Sequence, residues 1–541
     1  MRSRKRATIK LRDNGIIVQA SHAADADVGD SSPLLLSRDL ATNLKYFRAA
    51  FKHASDVHVR VFRIVDGREA AIIYVEGLSD SKEIDASLLS PLTRPKSPSY
   101  DGDVPRLTFD VLAQEYIHIA SLEQITTTAD AIRMVVVETS VLLLIDDEPV
   151  GLSFNVVGGE NRSIQEPNTE AVVRGPREGF IENVSINLSM LRRRIRTASF
   201  KVESFDIGVY TKTKVVLCYV DGIVDQRVVD EVRKRLERID TDAVIDSGYI
   251  EEFIEDNPYS PFPQVQNTER PDVVTSQLLE GKVSILVNGS PFALIVPINL
   301  WGMMQASEDY YERYMIANAI RALRFGFLFI NLYLPSLYVA ITTFHQEMLP
   351  TKALLSIAAA REVTPFPAIM EAFIMEITFE ALREAGVRLP KTVGSTISIV
   401  GALVIGQAAV QAGIVSAPMV IVVSITGIGS FVIPRYNLAI SLRMLRFPMI
   451  LLAGTLGLFG IVVATLAVVI HLSSLRSVGV PYLAPVSPFA GRDMKDVFVR
   501  APHWAMQRRP RQTGKQNPRR QTDSTRPKDR MPGRRGQQPQ S

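Results

Sequence analysis

The chain is 541 residues long and 46% hydrophobic, with one cysteine and a formal net charge of +4. A single cysteine excludes an internal disulfide framework and a cysteine metal cluster, and so small a charge gives no reason to expect a nucleic-acid partner. The length predicts several domains: the mean hydropathy of +0.11 averages a soluble-type stretch to residue 297, a membrane-like one from about 320 to 475, and a polar tail.

Residues 1–35 are polar and poor in aromatics, and are expected to be disordered. The opening MRSRKRATIKLRDNG is basic but is not followed by the apolar core of a signal peptide, which keeps the N-terminal half in the cytoplasm. Leu40, Leu44, Phe47, Ala50 and Phe51 then recur at helical spacing. VHVRVFRIV (57–65) alternates like a half-buried strand, AAIIYVEG (70–77) reads as a more buried one, and the DGR between them suits a tight turn.

An internal repeat follows. VLLLIDDEPVGLSFN (141–155) and VSILVNGSPFALIVP (283–297) each hold an apolar strand, a turn ending in proline and a second apolar strand. Asn-Gly in the second copy is a strong hairpin signal, and each copy follows an expected helix, 128–139 and 271–280. The N-terminal region is therefore expected to hold two related α/β subdomains, 36–165 and 166–297. The single Cys218 lies in an apolar run and reads as a buried small side chain.

Between the copies, EPNTEAVVRGPREG (166–179) is a loop by its Pro and Gly content. Pro176 suits the first turn of the helix that follows, Glu178 and Glu182 suit the positive end of its dipole, and Arg192, Arg193, Arg194 and Arg196 the negative end. Two readings stay open: a well-capped surface helix, or a docking and coupling element in which Arg174, Arg177, Glu178, Arg192, Arg193 and Arg194 face a partner.

After Pro297 the chain becomes helical and membrane-like, over an expected domain of 298–489. Tyr310, Tyr311, Tyr314, Arg321 and Arg324 suit a membrane interface. A first span covers 326–344, with Pro335 expected to kink it. PFPAIMEAFIMEITFEALREAG (365–386) is a second. The uncharged run 393–433 supplies two more, turning at 413–418, and 449–472 the last. RYNLAISLRMLRFP (435–448) holds three arginines and no acid, so it is placed as a cytoplasmic loop. About five spans then leave the tail outside, although its fourteen Lys/Arg against four Asp between 492 and 535 favour the inside. Residues 490–541 are expected to form a disordered basic tail.

Enzyme motifs are missing: no H-E-x-x-H, phosphate loop, dinucleotide fingerprint or nucleophile elbow occurs, so neither catalysis nor a cofactor or metal is expected. Ionisable groups inside a span are costly and mark an aqueous path or a partner charge. Glu376, Glu380 and Glu384 recur every four positions and share one helical face, and Glu371 is a further acid of the same helix and a candidate for the same path. In a ring of subunits such a face would form rings of carboxylates, the usual cation path. The alternative is that these acids pair with Arg361, Arg383 or Arg388 and fix helix packing. The stripe Thr396, Val400, Val404, Gln407 and Gln411 is a second candidate lining, or else a helix–helix contact.

The segments EPNTEAVVRGPREGFIENVSINLSMLRRRI, DNPYSPFPQVQNTERPD, SEDYYERY, LPSLYVAITTFHQEMLPTKALLSIA and GALVIGQAAVQAGIVSAPMVIVV resemble the A subunits of bacterial spore germinant receptors, the GerA family. The likeness runs over about 38–489. It implies a multi-pass protein of the spore inner membrane and two partners, a permease-like B subunit that binds the nutrient and a lipoprotein C subunit. It also implies a homo-oligomeric ring in membrane lipid that releases cations when nutrient binds. A SpoVAF-type accessory channel shares these motifs. A membrane-anchored scaffold and a transporter subunit remain competing readings.

Overall fold

The computed structural model describes residues 34–93, 111–112, 116–117, 122–156, 166–167, 169–170, 172–388 and 404–521. Two five-stranded sheets carry the N-terminal half. The first holds β1 (Val57–Arg63), β2 (Glu69–Val75), β3 (Leu122–Ile125), β4 (Val141–Ile145) and β5 (Gly151–Phe154), ordered β1-β2-β4-β5-β3. The second holds β6 (Phe200–Ile207), β7 (Thr213–Val220), β8 (Gln266–Thr268), β9 (Val283–Val287) and β10 (Ala293–Val296), ordered β6-β7-β9-β10-β8. The two orders are the same, and so is the register of the repeated hairpin: Leu143 faces Leu152 as Ile285 faces Leu294. Every strand pairing is antiparallel.

Each sheet is buried on both faces, which explains why its inner strands are apolar without alternation. Helix α1 (Leu40–Ala50) and helix α2 (Thr128–Val136) cover one face of the first sheet. Asp39 caps α1 by accepting from the Ala41 and Thr42 N–H groups, and Thr127 caps α2. On the second sheet, α3 (Val184–Arg194) and α6 (Pro271–Leu278) lie on one face. Helices α4 (Gln226–Glu237) and α5 (Ser247–Ile254) lie on the other. Cys218 is fully buried in β7, and burial pushes its thiol pKa up.

The helical half comprises α7 (Tyr314–Phe344), α8 (Thr351–Glu362), α9 (Ala368–Arg388), a helical segment at 404–411, α10 (Ala417–Gly429) and α11 (Tyr436–Ser474). Contacts fix their directions. Helix α7 leaves the α/β half and ends with Phe344 and His345 beside Gly457. Helix α9 starts at that far end, with Ile369 against Gly454, and returns until Arg383 meets Ser430. Gly406 against Val420 makes 404–411 antiparallel to α10, and the turn between them has Gly413 at a φ of 67° beside Val363.

Helix α11 is not one rod. Gly457 adopts φ 64° and ψ −143°, and the chain doubles back there. Ser441 donates to the Pro261 carbonyl while His471, thirty residues on, meets Ser260 at 2.8 Å. A straight helix would separate residues so spaced by about 45 Å. The expected loop at 435–448 is thus the first arm of α11, and the expected single span at 449–472 contains the reversal. Among the described residues α7 and α11 are long and apolar enough to cross a membrane, and 417–432 is a shorter apolar helix.

The chain after α11 returns to the α/β half, which corrects the disordered tail expected from residue 490 as far as residue 521. Ser477 donates to the Gln264 carbonyl at 2.7 Å, the Trp301 indole donates to the Leu483 carbonyl at 3.0 Å, and Thr513 donates to the Glu280 carbonyl at 2.7 Å. Lys515 pairs with Asp225 at 3.0 Å. Tyr482, Val497 and Met506 are buried anchors spaced too irregularly to show as a periodic pattern.

Candidate functional site

Three arginines determine what the span carboxylates can do. Glu371 is fully buried. It accepts from the Ser416 N–H at 2.8 Å and the Ser416 hydroxyl at 2.6 Å, with Arg361 at 3.4 Å, so it ties the turn before α10. Glu376 is buried and meets Arg446 at 3.1 Å, and Arg446 also donates to the Thr426 carbonyl. Glu380 is half-exposed, 3.7 Å from Arg443, and Glu384 is exposed. The acids thus grade from buried and paired to exposed along α9. Removing one partner of such a buried pair leaves an uncompensated charge and costs about 3–5 kcal/mol.

Val404, Gln407 and Gln411 are exposed on the 404–411 segment; Thr396 and Val400 lie outside the described residues. Pro335 is buried within α7, which continues through it, and Asn331 one turn earlier is fully buried with its amide unpartnered among the described residues.

Of the residues expected to dock, Arg192 lies in a joint between the subdomains and Arg174 in one with the helical half. Arg192 is buried between the subdomains: its guanidinium donates to both Asp56 oxygens at 2.6 and 2.8 Å and lies 4.7 Å from the Phe200 ring centre. Glu178 pairs with Arg194, and Arg193 is exposed. Arg174 and Arg177 reach Glu312 at 3.9 Å and Glu166 at 3.8 Å.

The second joint ties the 166–179 loop to the helical half. Glu170 bonds Thr268 at the edge strand β8 and, at 2.5 Å, Arg435 at the start of α11. Arg270 donates to the Glu170 and Pro176 carbonyls and pairs with Asp272, which also accepts from the Tyr311 hydroxyl. Burial and that bond raise the Tyr311 pKa. Gly175, at a φ of 137°, lies under the Tyr311 ring, where a Cβ would come within 2.7 Å of it.

Arg321 and Arg324 are not interfacial, as the sequence suggested, but buried on Asp309; Arg321 also holds Asp496 of the tail at 2.9 Å. Burial pushes the Asp496 carboxyl up in pKa, against the pull of Arg321. Glu170, Arg435 and Asp496 were missed because their partners are remote in sequence, and Asp309 because its partners Arg321 and Arg324 were read as interfacial. Only the presence of charge beside an apolar run hinted at them.

Among the described residues no cluster of His, Cys, Asp and Glu is placed to hold a metal ion. The model of a family described as Bacillus/Clostridium GerA spore germination protein matches residues 45–512. The chain belongs to the GerA family. This GerA-family chain is 50% identical over 484 residues to the membrane protein YfkQ of Bacillus subtilis, covering 90% of this chain and 93% of that one. It is 44% identical to spore germination protein KA of B. subtilis over 92% of this chain and 90% of that one. With GerLA of Bacillus cereus the identity is 38%, over 88% and 96%. The crystal structure of the N-terminal domain of the A subunit of the Bacillus megaterium germinant receptor GerK3 matches 49% of this GerA-family chain and 98% of its own, at 33% identity and a TM-score of 0.39. The family match extends through the docked tail to residue 512.

Proposed function

We propose that this chain is the A subunit of a nutrient germinant receptor in the spore inner membrane, working with a permease-like B subunit and a lipoprotein C subunit. The observation that carries the reading is the match of both the α/β and the helical half to one family of spore germination proteins. Six helical runs alternate in direction: α7, α9, 404–411, α10 and the two arms of α11. They would cross the membrane six times rather than five. The docked tail supports an even number, because it leaves the tail on the cytoplasmic side with the α/β half.

In this reading the subunits form a ring and the ring passes monovalent cations. Buried Glu371 and Glu376 hold the bundle together. The exposed groups Glu380, Glu384, Gln407 and Gln411, with Val404 and the preceding stripe positions Thr396 and Val400, line the path. Polar groups exposed on the bundle are costly against lipid, and a shared aqueous path relieves that cost. The test is potassium efflux from vesicles containing the assembled receptor. Glu380→Gln and the Gln407→Leu/Gln411→Leu pair should change nutrient-triggered efflux by about tenfold. Unchanged efflux and selectivity in both would remove this lining.

A further inference from the structure

A cavity of about 220 Å³ lies where the end of α6, the turn after β10 and the tail meet. Its lining includes Gln277, Lys282, Asn299, Trp301, Arg492 and Gln512. Lys282 is only 7% exposed, and its Nζ makes no hydrogen bond or ion pair with a described residue. The ammonium faces the 299–302 turn, where a Cβ on Gly302 would lie 4.0 Å from it. Two further polar atoms in the lining are buried and unpartnered, the side-chain carbonyl oxygens of Gln277 and Gln512.

The acids around this space already have partners. Glu280 holds Arg520, Asp496 holds Arg321, and Asp493 accepts from the Arg511 N–H. Arg492 and Arg508 add exposed cations at the lining. Burial lowers the Lys282 pKa to about 8, with Glu280 opposing and Arg435 adding to the fall. A buried cation without a counter-charge is costly to keep, and so are buried acceptors without donors. One kind of molecule relieves both: it brings an oxyanion to the lysine and an N–H or O–H to the amides.

We infer that this cavity is a binding site for a small carboxylate with an adjacent hydrogen-bond donor, its oxyanion on Lys282 and its donor on Gln277 and Gln512. The site is built by the tail as much as by the segments that flank the second sheet. It does not depend on whether the helical half conducts ions. The probes are lactate, which has both features, and acetate, which lacks the donor, titrated into the full-length chain in detergent. Lactate should bind saturably and more tightly than acetate. Lys282→Met should weaken both by about tenfold or more, while Gln512→Leu should remove only the advantage of lactate.

Two further readouts do not depend on how Lys282→Met folds. Gln512→Glu places a carboxylate in the cavity and should abolish binding of both probes. Lactate should also slow acetylation of the native Lys282 amine by acetic anhydride. The inference is overturned by absent saturation with lactate, by equal affinity in Lys282→Met, or by an acetylation rate that lactate leaves unchanged.

Discussion

Arg192 shows how one side chain in a charge run can differ from its neighbours. It is 2% exposed and bound bidentately to an equally buried Asp56, while Arg193 beside it is exposed. Helical period explains the difference: Val184, Leu188, Leu191 and Ile195 form the buried stripe of α3 and its end, and Arg192, four residues after Leu188, falls within it. The cluster was visible in the sequence as cations at a helix end. The inward turn of one member was not, because its partner lies more than a hundred residues away. Replacing Arg192 with Met strands a buried carboxylate and should cost about 3–5 kcal/mol, read as lost stability in denaturant unfolding of the full chain. Asp56→Asn on that background should recover much of the loss. A loss below about 1 kcal/mol, the range of exposed pairs, would count against this joint.

Elements were legible where local chemistry decides them. The repeated hairpin was readable because Asn-Gly and the prolines mark its turns, and β4-β5 and β9-β10 keep the same register. The α11 reversal was not readable. Its run from 449 to 472 is uncharged up to His471, and Gly454, Gly457 and Gly460 are ordinary residues for a packed membrane helix. Only the backbone angles of Gly457 mark it out, in a region that residues with a Cβ avoid. A Cβ there would also come within 2.8 Å of the His345 ring. Gly457→Ala should therefore destabilise the helical half by about 2 kcal/mol, seen as a lower melting temperature in detergent. Gly326→Ala, where a Cβ meets nothing within 4 Å, serves as the control. Equal behaviour of the two variants would contradict the hairpin.

At the scale of the molecule, the reversal and the docked tail have one consequence. Both ends of α11 meet the 260–264 loop or the 166–179 loop, and the tail then reaches Glu280 and Asp225 of the second subdomain. The sequence showed the division into soluble and membrane-like halves, and it showed the duplicated sheets. The six crossings proposed above differ in parity from the five expected from the sequence, where short-loop charge was weighed without the acids of α9 that pair with Arg443 and Arg446. The structure also offers a clean way to measure parity, since the one native cysteine is buried. Cysteines introduced at Tyr210, Met348 and Gln516, all exposed positions, can be labelled with an impermeant thiol reagent on sealed vesicles of known orientation. The account predicts that Tyr210→Cys and Gln516→Cys label from the same side and Met348→Cys from the other. Labelling of Gln516→Cys together with Met348→Cys, and not with Tyr210→Cys, would contradict it.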